Sequence, residues 1–72
     1  MQELDASLDS CPQPLLKTRR LLDGLQAGDT VKVVATDPGS VMDFEAFCRR
    51  SGNEMLASTI YDGQYTFVIR KS

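Results

Sequence analysis

The stretch Thr30 to Thr36, TVKVVAT, constrains the fold most. Its residues are largely β-branched and its apolar positions partly alternate, the pattern of a strand. The segments on either side follow a different period. From Pro12 to Leu25, the residues Leu15, Thr18, Leu21, Leu22 and Leu25 fall on one helical stripe. Gln13, Lys17, Arg20 and Asp23 fall opposite, with Leu16 among them. After the strand, Asp37-Pro38 is expected to open a second helix, aspartate as N-cap and proline in the first helical position. Val41, Phe44, Phe47, Cys48 and Ser51 share its apolar stripe, and Gly52 ends it.

The remaining segments read as strands. QELDA, within Met1 to Ala6, is a short strand of weak propensity. Glu54 to Ile60, EMLASTI, is another. Asp62-Gly63 is a hairpin signal between it and Gln64 to Lys71. There Tyr65, Phe67 and Ile69 alternate with Thr66, Val68 and Arg70, as in a half-buried strand. The expected order is β-α-β-α-β-β, an α/β (α+β) chain. Strands one and two are joined in parallel by a right-handed crossover, and the last two form an antiparallel hairpin. The expected architecture is a two-layer α/β sandwich, a four-stranded mixed sheet with two helices on one face, in one domain over residues 1–72.

Composition bounds the function. The net charge of −2 and an isoelectric point near 4.8 argue against phosphate-driven nucleic-acid binding. No apolar run is long enough for a membrane helix. MQELDASLDS lacks the apolar core of a secretion signal, so the expected compartment is the cytosol, where Cys11 and Cys48 would not form a stable disulfide. With no histidine and no CxxC pair, a zinc site is not expected, and chemistry that rests on a thiolate alone calls for no metal or cofactor.

One motif carries chemistry. Cys11 precedes Pro12, and Pro14 follows two residues later, at the mouth of the first helix. With Pro12 in the first helical position, the Cys11 sulfur lies near unpaired N–H groups of the first turn. These groups and the helix dipole favour a thiolate. Lys17, Arg19 and Arg20 add a more distant positive potential. Both prolines stiffen the backbone that presents the sulfur. A helix-capping cysteine with no chemical task is the competing reading. Cys48, on an apolar stripe, is expected in the core. Leu16 among Lys17 and Arg20 is a candidate docking patch, against the alternative of a merely solvated face. Met42, near Arg49 by helical angle, is a weaker candidate of the same kind.

Cys11-Pro12-Gln13-Pro14 resembles the CPxP motif of the TusA/SirA-like sulfur carrier family. The resemblance extends along nearly the whole chain. Leu4-Asp5 and Gly28-Asp29 stand where the family has similar pairs. Asp37-Pro38 with Asp43, Phe47 and Cys48 resembles its DPxxxxDxxxFC segment, and Asp62-Gly63 with Tyr65 to Lys71 resembles its closing hairpin. The resemblance implies a two-layer α/β sandwich. It also implies a sulfurtransferase whose Cys11 takes up sulfane sulfur as a persulfide and passes it to a partner cysteine. The donor is expected to be a cysteine desulfurase or a rhodanese-like protein, and the acceptor a downstream protein serving tRNA thiolation, sulfur oxidation or molybdenum-cofactor enzymes. One departure is clear. Leu8-Asp9-Ser10 replaces the Gly-Leu-x that commonly precedes the cysteine, which puts an acid two residues before the thiol. A regulatory or interaction module, or a redox sensor using Cys11, are the alternative functions.

Overall fold

Thr18 and Leu22 recur at a spacing of four and are both fully buried, while Leu15 and Leu21 pack beside them half-buried. This stripe makes residues Gln13–Asp23 a helix, α1, that can lie on a sheet. In the computed structural model, which describes residues 2–6 and 13–72, that sheet has four strands. They are β1 (Gln2–Ala6), β2 (Thr30–Ala35), β3 (Glu54–Tyr61) and β4 (Gln64–Arg70), with a second helix, α2 (Ser40–Ser51), between β2 and β3.

The strands lie in the order β1-β2-β4-β3. β1 pairs with β2 in parallel, Leu4 beside Val33. β4 enters between β2 and β3, antiparallel to both. Alternation along β2 and β4 sends Val31, Val33, Ala35, Phe67 and Ile69 to one face, where all five are fully buried. Leu22 from α1 and Phe44 and Cys48 from α2 complete that core, so both helices cover the same face of a mixed sheet. The rings of Phe44 and Phe67 stack with centroids 4.6 Å apart and planes 15° from parallel, locking α2 to β4.

The hairpin turn is the one the dipeptide Asp62-Gly63 predicts. Both residues have positive φ, 50° and 77°, as a two-residue turn matched to strand twist requires. β3 is an edge strand and mostly exposed, with a bulge between Met55 and Ala57.

Three expectations need correction. First, α2 begins at Ser40 rather than at Pro38, and Asp37 is not its N-cap. The Asp37 carboxylate instead accepts the Gly39 N–H at 2.8 Å, and its carbonyl accepts the Ser40 N–H at 3.0 Å. Aspartate bonding to the backbone two residues on makes a turn of its own, which delays the helix by two residues. Second, Ser51 is exposed, while Ser40 is the residue fully buried at the other end of α2. Third, α1 ends at Asp23, not Leu25; Gly24 and Leu25 donate back to the carbonyls of Leu21 and Leu22 in tight turns. Gly52 does end α2, in the left-handed conformation at φ 79°, with its N–H on the Cys48 carbonyl at 3.0 Å.

The C-terminal end of α1 is tied down from an unexpected direction. The Lys71 ammonium donates to the Leu22 carbonyl at 2.8 Å, and the Lys71 main chain exchanges hydrogen bonds with Gly28 and Asp29. A cation at this end also complements the helix dipole.

Candidate functional site

Parallel strands β1 and β2 both run into helices, so α1 and α2 start at the same end of the sheet. The β3–β4 turn lies at that end too, because Ala35 at the close of β2 pairs with Tyr65 just after the turn. The Cys-Pro-Gln-Pro motif stands between β1 and α1 in sequence. Cys11 and Pro12 lie outside the described residues, as do Leu8, Asp9 and Ser10. Gln13 and Pro14 are the first two residues of α1, where a proline removes no helical hydrogen bond.

The three expected docking residues lie on the exposed side of α1. Leu16 is 43 % exposed, a large apolar side chain among charges, and Lys17 and Arg20 are exposed. Leu16 and Arg20 are four residues apart and therefore neighbours on one flank. Lys17 is three residues before Arg20 and its neighbour on the other side from Leu16, so the three side chains span about 100° of the helix surface with Arg20 between.

A groove of about 520 Å³ lies between the two helices, lined from α1 by Leu15 and Arg19, and the sequence alone did not single it out. Leu15 and Phe47 form its apolar floor, and Arg19, Asp43 and Arg50 form its charged walls. A signal for it was present: Arg19 stands four residues after Leu15, and Arg50 three after Phe47, each at the border of an apolar stripe. Met42, on α2, is 77 % exposed.

Cys48 is separate from this site. It is buried in the core beneath α2, and burial raises its thiol pKa, so it stays neutral and poorly nucleophilic. Among the described residues no group of three or more His, Cys, Asp or Glu side chains is placed to hold a metal ion. No helix among them is long and apolar enough to cross a membrane.

Comparison with known proteins fits this arrangement. The family described as Sulfurtransferase TusA matches residues 2–71. The Sulfur carrier protein TusA of Allochromatium vinosum is 46 % identical over 71 residues, covering 99 % of this chain and 93 % of that protein. The proteins of the same name from Pseudomonas putida and Pseudomonas syringae are 38 % and 36 % identical, each covering 94 % of this chain.

Proposed function

Because the chain belongs to the Sulfurtransferase TusA family, we propose that it is a sulfur carrier, loaded as a persulfide on Cys11. The observation that carries the reading is the position of the thiol. In sequence Cys11 stands two residues before α1, in a Cys-Pro-Gln-Pro motif, whereas the other cysteine is buried and held neutral.

The chemistry is two thiol exchanges. The Cys11 thiolate attacks the outer sulfur of a donor persulfide. A new S–S bond forms, the donor's S–S bond breaks, and the donor leaves as a thiolate, giving Cys11–S–SH. An acceptor thiolate then attacks the outer sulfur and releases Cys11 as a thiolate. No electrons are gained or lost overall, and the protein needs no metal or cofactor of its own. The first-turn N–H groups of α1 favour the thiolate in both resting and departing forms. Positioning of the reacting sulfurs is left to the complex with each partner.

The donor is a cysteine desulfurase or a rhodanese-like protein, and the acceptor is a downstream protein with a reactive thiol. Both dock beside the motif, on Leu16, Lys17 and Arg20, with an acidic surface around an apolar contact. The whole chain, 1–72, acts as one domain in a reducing cytosol.

Intact-mass analysis after incubation with a desulfurase and free cysteine tests this. The expected result is a reductant-labile gain of one sulfur atom, absent in Cys11→Ser and retained in Cys48→Ala. If an active desulfurase leaves the mass unchanged, chemical persulfidation of Cys11 and transfer to an acceptor thiol is the second arm. Failure there as well refutes the carrier reading.

A further inference from the structure

β3 is an edge strand without the usual protection. Its only charged residue is Glu54, at its start and already paired with Arg70 of β4. From Met55 to Tyr61 there is no charge and no proline, and the single bulge lies near the first end, leaving residues 57–61 regular. Large apolar side chains crowd the other end: Ile60 is 63 % exposed and Tyr61 84 %.

We propose that this edge is a self-association surface, on which two copies of the chain pair β3 to β3, antiparallel, about a two-fold axis at Thr59. The strand is complementary to itself in this register. Ala57 falls opposite Tyr61, and Ser58 opposite Ile60, so a small residue meets a large one in each pair. The faces agree as well. Ala57, Thr59 and Tyr61 point to the open face of the sheet, because Ala57 pairs with Val68 and Thr59 with Thr66. Ser58 and Ile60 point to the helix face, beside Phe67 and Tyr65.

The helix layer fits the same axis. Met55 packs against the core that holds Cys48 and lines one cavity with Cys48 and Arg49 of α2. With the bulge counted, Met55 to Thr59 advances three residues of β4, about 10 Å, the rise of about seven helical residues, so Thr59 stands level with the first turn of α2. Met42 is in that turn, on the flank of Glu45 and Arg49, which line the gap toward β3. Because α2 packs on both β3 and β4, a sheet continued across the axis sets the second α2 about 10 Å away, the distance of packed helices. Met42 and Ile60 would thereby be covered on the helix face, and Tyr61 by the strand pairing on the open one. An isologous contact closes at two copies. It also leaves both β1 edges at the outer ends of an eight-stranded sheet.

An edge pairing of this length is small, below about 1,200 Å², so the dimer is weak and concentration-dependent. Sedimentation equilibrium in reductant, from about 20 μM to about 1 mM, is the test. The weight-average mass is expected to climb from 8.0 kDa toward twice that value, and Thr59→Lys, which sets two cations face to face on the axis, to stay monomeric with an unchanged circular dichroism spectrum. Oxidation of Thr59→Cys in a Cys11→Ser background is expected to give a cross-linked dimer, at several times the yield of Lys32→Cys on the same face of the sheet but on the inner strand β2. A mass fixed at 8.0 kDa throughout, a dimer that survives Thr59→Lys, or equal cross-linking at both positions overturns the proposal.

Discussion

The stack of Phe44 on Phe67 should be the most sensitive joint in the molecule. Both rings are fully buried, and their stack joins α2 to β4. Replacing Phe44 by leucine keeps most of the apolar volume and removes the stacked face. A near-isosteric apolar exchange costs up to about 1.5 kcal/mol, and a lost aromatic pair about 0.5–1.5 kcal/mol more. The expected destabilisation is therefore about 0.5–3 kcal/mol. Unfolding entropy for 72 residues is about 0.15 kcal/mol/K, so Tm should fall by about 3–20 °C. A chain this size has about 4–11 kcal/mol to lose, so the variant stays folded at 25 °C. Thermal melts followed by circular dichroism measure the single changes, and urea titrations of Phe44→Leu, Phe67→Leu and the double variant complete a cycle. The two changes should be sub-additive by about 0.5–1.5 kcal/mol. Full additivity, or a Tm loss below about 3 °C for Phe44→Leu, would refute the idea that ring contact, rather than burial alone, holds α2 on the sheet.

Two further outcomes follow from the backbone and the core. Gly52→Ala should cost about 1 kcal/mol, seen as a Tm loss of about 7 °C: its φ of 79° disfavours a side chain, although the added Cβ would sit 3.8 Å from Ser72 Oγ without a clash. The Cys48 thiol is raised above 9.0 by burial, so the unfolded chain loses this proton first. Its contribution to stability is then complete below about pH 9 and fades as pH rises through the folded value; Cys48→Ala should flatten that part of a urea-denaturation pH profile, and an equal slope in both proteins would remove Cys48 as the cause.

Much of the fold was legible because single patterns agreed with their surroundings. Thr18 and Leu22 follow the helical period and are buried. TVKVVA alternates and does so in the sheet. Asp62-Gly63 can satisfy two positive φ angles and forms the turn that needs them. Asp37-Pro38 misled because two local bonds competed for one carboxylate, and the short-range turn won over the helix cap. The insertion of β4 between β2 and β3 is a matter of long-range pairing, which no local pattern encodes. The site was legible in its chemistry, since Cys11 and its prolines are contiguous. The groove was not, because Leu15, Arg19, Phe47 and Arg50 come from two helices and meet only once both lie on the same sheet.

The place of β4 has a consequence for how the molecule comes into being. It is the last element in the chain and an inner strand of the sheet, and the lysine just beyond it ties down the far end of α1. During synthesis, β1 and β2 can meet early, but β3 has no neighbour until Gln64–Arg70 has left the ribosome. Until then the apolar edge of β2 stands open to other chains. The fold closes from its middle, in one late event, and any truncation that removes β4 removes the whole sheet's continuity rather than its margin.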